Sequence, residues 1–269
     1  MATVVDTHCH ASPYWFEPVE ILLDEMERAG VDQAVLTQFF GVFDNSYLIE
    51  AVKRFPGRFA VIAIVDHTQP DAVDRVAELK DQGADGLRFQ CSWRSPGDDP
   101  LALWRKCAEL GVVASVMGPA EHYAAPEFEE IIQEFPNLNI VIEHLAGVGA
   151  FWGPGRADTE IPMDAYRTSL ALSKYPNVYM KIPGLGEFCP RPQPFRQPIP
   201  FDNIPPLIEM AVEAFGGDRL MWGSDFPPSA NREGYRNTLR FPMELIDYPS
   251  TEARDMVFGG TATNLWEFR

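Results

Sequence analysis

Residues 3–15 read TVVDTHCHASPYW. The first seven, TVVDTHC, form a short run rich in β-branched residues, the pattern of a buried strand. The residues just beyond that strand decide the fold. A doubly wound open sheet often carries a glycine-rich phosphate loop at this point. Here the strand runs instead into HCHASPYW, so imidazoles stand at its C-terminal end. Functional side chains at a strand end are the arrangement of a (β/α)8 barrel, whose active sites sit on the C-terminal rim.

Working outward, seven more strand patterns recur: 32–38 (DQAVLTQ), 59–65 (FAVIAIV), 85–90 (DGLRFQ), 112–117 (VVASVM), 139–143 (NIVIE), 177–182 (NVYMKI) and 219–223 (RLMWG). Most are apolar on both faces, as parallel strands covered by helices must be. Helical patterns lie between them, among them 18–29, 70–82, 100–110 and 126–135, several opened by proline and several stopped by glycine. Eight strand–helix units predict an α/β protein, a single-domain TIM barrel over residues 1–269 slightly elaborated by its βα loops. The length agrees, since such barrels take about 250 residues. The doubly wound sheet is the runner-up and needs fewer strands. One segment stands apart: residues 183–206 hold eight prolines together with Arg191, Phe195 and Arg196. It reads either as an ordered loop over the barrel mouth or as a surface or oligomer-contact loop.

Composition narrows the function classes. Hydrophobic residues make up 46% of the chain, enough for a full core, yet no apolar run reaches the roughly 18 residues of a membrane helix. The N-terminus shows no signal-type stretch, so a cytoplasmic protein is expected. Cys9, Cys91, Cys107 and Cys189 form no CxxC pair, against a disulfide framework or zinc knuckle. The net charge of −17 disfavours nucleic acid and anionic membranes as partners. It leaves a small-molecule substrate, with a homo-oligomer as an open option. An anionic or oxygen-rich substrate would need local arginines against that field.

All five histidines, His8, His10, His67, His122 and His144, fall at or just after predicted strand ends. Period-two alternation puts His8 and His10 on one strand face with Val4 and Asp6. If that face points inward, the pair can bind a divalent metal or hydrogen-bond a substrate oxygen. Asp225, in RLMWGSDFP, comes after strand eight, which closes the barrel against strand one, so it is expected beside the HxH pair. Its carboxylate is a candidate base on water, or else the N-cap of the next helix. His144 ends strand six and projects into the same mouth, while Glu143 alternates to the other face in a structural role. Arg88 is a candidate anchor for a substrate carboxylate or carbonyl, or else an internal ion pair with a barrel carboxylate.

Together these segments resemble the amidohydrolase superfamily, and within it the amidohydrolase-related group. VVDTHCH is similar to its strand-one HxH motif, ADGLRF to its strand-four segment, IVIEHLAG to its strand-six histidine motif, and RLMWGSDFP to its strand-eight aspartate motif. The resemblance implies His8, His10 and Asp225 as ligands of a metal such as Zn or Mn, with His144 as acid/base or oxyanion partner. There is one departure. Metal-dependent members carry a histidine at the end of strand five, where this chain has Met117, with His122 five residues on. That moves the chain toward the lactonase branch, which includes 2-pyrone-4,6-dicarboxylate and sugar-acid lactonases, some of which work without a metal. NVYMKIPGL resembles the strand-seven segment of that branch, with Lys181 as a substrate-binding candidate or a buried structural stem.

The expected activity is therefore hydrolysis of a carboxylated or hydroxylated lactone or related cyclic ester. Asp225 activates water; His8, His10 and His144 polarise the carbonyl, directly or through a metal. Arg88, with Arg94, Arg191 or Arg196, holds an anionic end. Lys181, His122, Tyr14, Trp15, Trp93 and Tyr123 are candidates to line the pocket, or to pack the rim. Two rivals stand beside it. One is a metal-dependent non-oxidative decarboxylase of an aromatic or muconate-type acid, and the other a non-catalytic barrel with a decayed site.

Overall fold

The computed structural model describes residues 2–148, 160–189, 201, 204–228 and 232–269. Eight strands appear: β1 (Val5–Cys9), β2 (Gln33–Thr37), β3 (Phe59–Ala63), β4 (Gly86–Gln90), β5 (Val113–Met117), β6 (Ile140–Ile142), β7 (Val178–Ile182) and β8 (Leu220–Trp222). All pair in parallel and in chain order. Each coincides with a predicted strand, trimmed by no more than two residues at either end. Between and after them run α1 (Val19–Ala29), α2 (Ser46–Arg54), α3 (Ala72–Gln82), α4 (Ala102–Leu110), α5 (Ala120–Tyr123), α6 (Pro126–Glu134), α7 (Met163–Leu170), α8 (Leu207–Phe215), α9 (Tyr235–Leu245), α10 (Thr251–Asp255) and α11 (Thr261–Leu265). The ring closes where the chain beyond β8 meets β1: His10 N donates to Phe226 O at 2.8 Å and Asp225 N to His8 O at 2.7 Å. The protein is a (β/α)8 barrel. Among the described residues no helix is long and apolar enough to cross a membrane.

Alternation along the strands separates two apolar clusters. Leu36, Phe59, Leu87, Phe89, Ile140, Met180 and Trp222 face outward and pack with helix residues such as Leu22, Trp104 and Ile132. Val5, Val35, Ala60, Ile62, Val113, Val141 and Met221 fill the lower interior, closed by Ala262 and Trp266 of the C-terminal segment. Two residues further along the same inward rows the side chains turn polar: Val113 gives way to Ser115, Val141 to Glu143 and Tyr179 to Lys181. The barrel is therefore plugged at its base and charged beneath its mouth.

Two expectations need correction here. Strict alternation placed Val4, Asp6, His8 and His10 on one face. Instead the pairing of β1 with β2 slips between Asp6 and Cys9, three residues against two. This bulge changes the phase, so Val5 joins the interior while Cys9 joins the outer core. His8 then points inward and Asp6 does not. Glu143, placed on the other face by sequence, lies inside the barrel, because it continues the inward row of Val141. Of the proline-rich segment, residues 190–200 and 202–203, with Arg191, Phe195 and Arg196, lie outside the described residues, and with them the reading of a loop over the mouth.

Candidate active site

The two strand-one histidines and Asp225 meet because Asp6 ties β1 to the β8 end. Its carboxylate accepts from Ser224 N (2.9 Å), Ser224 Oγ (2.6 Å) and His8 N (3.1 Å). Burial pushes the Asp6 carboxyl up to about 6 even so. Asp225 sits next in the chain in the left-handed region with φ 51°, which turns its carboxylate back over the mouth. Asp225 Oδ1 lies 3.3 Å from His10 Nε2 and 3.7 Å from His8 Nε2.

His144 arrives by a different device. After β6 the chain enters a left-handed stretch, with φ of 49°, 50° and 53° at His144, Leu145 and Ala146, and 79° at Gly147. Non-glycine residues there carry about 1–3 kcal/mol of strain each, a load found mostly at functional sites. The turn swings the imidazole of His144 to 4.6 Å, centroid to centroid, from that of His8. Gly147 makes the turn possible, since a Cβ there would lie 2.1 Å from Gly118 O. Gly147→Ala is therefore expected to cost more than about 1 kcal/mol. Thermal melting should show the loss together with falling activity; an unshifted melting temperature would contradict this account of the turn.

Hydrogen-bond partners set the hydrogens of His10 and His144. His10 Nδ1 donates to Thr37 O at 2.6 Å, and His144 Nδ1 donates to Glu187 Oε2 at 3.0 Å. Lys181 Nζ lies 3.2 Å from His8 Nδ1 and Arg88 Nη2 3.5 Å from His8 Nε2, so each nitrogen of the His8 ring faces a cationic donor. Burial and then the charges of Lys181, His144, Arg88 and His10 hold the His8 imidazole well below its ordinary pKa. Burial would lower His144 too, but the Glu187 carboxylate outweighs it, helped by Asp225 and Glu143, and raises it. For Asp225, burial opposes the His10 hydrogen bond and the His144 charge; the latter prevail and keep the carboxyl below its usual range.

Beneath His8 lies a buried ionic floor. Arg88 Nη2 donates to Glu143 Oε2 at 2.8 Å, its Nε approaches both carboxylate oxygens at 3.2 Å, and its Nη1 donates to Gln38 O at 3.0 Å. Lys181 donates to Ser115 Oγ (3.2 Å), which donates to Glu143 Oε1 (2.7 Å). Burial alone would raise the Glu143 carboxyl, yet Arg88 and Lys181 hold it at about 2. Burial pulls the Lys181 ammonium down to about 8. Arg88 thus forms the internal ion pair that was its alternative reading, donating to Glu143 and Gln38, and its guanidinium face is covered by Phe40 at 4.4 Å.

Among the remaining candidates Trp15 and Trp93 pack against Phe39 and Phe40, at 6.4 and 5.6 Å between ring centroids. Tyr14 and Trp15 are exposed at the lip, and His122 is exposed on α5. Trp93 stacks on His67 at 4.1 Å. Tyr123 is buried and donates to Val116 O, so it packs the wall rather than lining the mouth. Glu187, Ser115 and Phe16 went unnoticed in the sequence. Glu187 lies in a 3-10 turn at Leu185–Glu187, and no local pattern couples it to His144 43 residues earlier.

With this geometry in view, comparison with known proteins is decisive. The amidohydrolase family model matches residues 5–268. The chain belongs to the amidohydrolase family. Among relatives of this amidohydrolase, the L-fucono-1,5-lactonase of Burkholderia ambifaria is 28% identical over 255 residues, 90% of this chain and 82% of that one. The 4-sulfomuconolactone hydrolase of Hydrogenophaga intermedia is 26% identical over 237 residues, covering 83% and 70%. An amidohydrolase from Burkholderia multivorans with bound zinc superposes with a TM-score of 0.74 at 20% identity, covering 98% and 99%, which shows a common fold.

As a potential metal site the amidohydrolase offers His8, His144 and Asp225, whose ligand atoms lie within 4.8 Å of one another. This differs from the expected trio, with His144 in place of His10, because the left-handed turn carries His144 across to His8. Count and residue type suit a divalent ion. The charges around His8 do not: Lys181 Nζ stands 3.2 Å from its Nδ1, so one cation already faces the ring a metal would need. Arg88 Nη2 also stands 3.5 Å from His8 Nε2, a second cation at the same place.

Proposed function

We propose that this amidohydrolase hydrolyses a lactone without a metal, using Asp225 as general base, and that residues 1–269 act as one catalytic domain. The observation that carries the reading is the Asp225 carboxylate, 3.3 Å from His10 Nε2 and 3.7 Å from His8 Nε2 at the rim. Two lactonases among its relatives support the substrate class. Asp225 takes a proton from water as the oxygen attacks the ring carbonyl carbon. Negative charge moves to the carbonyl oxygen, where His8 and protonated His144 donate to it. Preorganised donors of this kind contribute about 3 kcal/mol each. The tetrahedral carbon then collapses, the ring C–O bond breaks, and His144 gives its proton to the departing alkoxide, yielding the hydroxy acid. Glu187 raises the basicity of His144 and so favours the protonated form that this step needs. Its four unpaired, buried cysteines support a reducing compartment such as the cytoplasm.

A panel of γ- and δ-lactones, followed by proton release against a buffer blank, tests the reading; no turnover of any member would sink it. Metal content of protein purified without chelator is expected to be well below stoichiometric, with activity unchanged by chelator. A stoichiometric zinc or manganese on which activity depends would overturn the metal-free form, and carbon dioxide release would favour the decarboxylase.

Lys181 adds a pH dependence. With its pKa near 8, it is an ammonium below that value and an amine above it. The charge that reinforces His8 as a donor is present at neutral pH and lost on the alkaline side. The kcat/KM profile should fall above about pH 8, and Lys181→Met should remove the limb while lowering the plateau. A wild-type profile that stays flat well above pH 8 would remove Lys181 from the mechanism.

A further inference from the structure

The mouth is divided by chemistry. On the side of β6, β7 and β8 stand His144, Glu187, Asp225 and Lys181. On the side of β1 and β2 the described residues present aromatic faces. Phe16, in the loop after β1, stacks on the His10 ring at 5.3 Å with 25° between planes. Phe39, after β2, meets His10 edge-on at 6.0 Å and Phe16 at 5.2 Å. Phe40 covers the Arg88 guanidinium at 4.4 Å. Phe16 is part-buried and Phe39 is 36% exposed, so the wall reaches from the imidazole to solvent.

Ser12 and Gln38 in these two loops turn their polar side chains to their own backbone. Ser12 Oγ accepts from Tyr14 N and Trp15 N at 3.1 and 3.2 Å. Gln38 Nε2 donates to Asp44 O at 2.8 Å while its Oε1 accepts from Phe39 N at 2.8 Å. Against the faces of Phe16 and Phe39 a hydroxyl or carboxylate of a ligand would give up water for aromatic carbon. An apolar group would gain from the same move. The net charge of −17 adds a field unfavourable to anions.

We infer that the Phe16–Phe39 wall is a subsite for an apolar substituent, aryl or alkyl, carried on the lactone ring beside His10. The inference rests on the lactonase reading and narrows it: the substrate class is an apolar-substituted lactone rather than a polyhydroxylated or carboxylated one. The wall positions that substituent while the ring carbonyl faces His8, His144 and Asp225.

Binding separates this subsite from the chemistry. Titration calorimetry on Asp225→Asn would compare δ-phenyl-δ-valerolactone, glucono-δ-lactone and a δ-lactone bearing a ring carboxylate. Replacing the carboxylate of Asp225 favours anions, so the comparison is biased against the expected result. The phenyl lactone should bind at least about tenfold tighter than either polar lactone, in keeping with the discrimination of apolar pockets. Phe39→Ala in the same background should erase most of that advantage while leaving the polar lactones within about twofold of their former Kd. Because Phe39 is partly exposed, that variant should melt close to its parent. Equal or tighter binding of a polar lactone, or an advantage that survives Phe39→Ala and Phe16→Ala together, would overturn the subsite. Turnover by the wild type is read independently. Tight phenyl-lactone binding without hydrolysis of any lactone removes the lactonase reading and keeps the subsite. Hydrolysis without preference does the reverse.

Discussion

Asp225→Asn should leave the barrel folded and lower kcat by about 10²–10⁴-fold, the usual contribution of a positioned general base. Asparagine is the informative replacement because the residue sits at φ 51°. Asn, with Asp, tolerates the left-handed region far better than other side chains bearing a Cβ. Alanine would add backbone strain to the loss of the carboxylate and confuse the two. The amide side chain keeps the shape of the carboxylate, and the backbone N–H at this position still donates to His8 O, which helps to close the barrel. What disappears is the proton acceptor and the negative charge 3.3 Å from His10. Far-ultraviolet circular dichroism and melting should match the wild type, while lactone turnover falls to the residual level supplied by the histidine donors. Wild-type kcat in the variant would remove Asp225 as the base and return His144 to consideration.

Arg88→Met is expected to destabilise the protein by about 3–5 kcal/mol, the range for breaking a buried ion pair by removing one partner. Arg88 and Glu143 are 3% and 0% exposed, so the orphaned carboxylate has no access to water. For a chain of this size each kcal/mol corresponds to roughly 2–4 °C in melting temperature. The double variant Arg88→Met with Glu143→Leu should recover most of the loss, because replacing both partners removes the uncompensated charge. Glu143 sets the sign of the pH dependence. Its carboxyl is depressed to about 2 in the folded protein, so its contribution is complete above the ordinary carboxylate value of 4.5 and disappears as pH falls through 2. Arg88→Met should flatten acid unfolding across that window. If Arg88→Met melts like the wild type and only raises KM, the arginine is a substrate anchor after all.

The location of the eight strands was legible in the sequence because their apolar runs are local and their ends are marked by proline, glycine and turn residues. The histidines at strand ends were legible for the same reason. Arg88 shows where legibility stops. A lone arginine on strand four fits a substrate anchor and an internal ion pair equally, and only the position of Glu143 distinguishes them. Glu143 itself was assigned outward because His144 was assigned inward and strand residues alternate. The left-handed turn after β6 breaks that alternation and lets both point in.

The sequence alone thus determined that the chain builds a barrel and that His8, His10, His144 and Asp225 sit at strand ends, since burial period and element boundaries are written locally. The tertiary structure decided what surrounds them. The bulge in β1, the Asp6 link to Ser224, the Glu187 support of His144 and the aromatic wall against His10 all depend on which strand lies beside which. They depend equally on where the backbone leaves its regular geometry. Neither is recorded in the spacing of apolar residues, because spacing reports which face a residue takes within one element and not what stands opposite it.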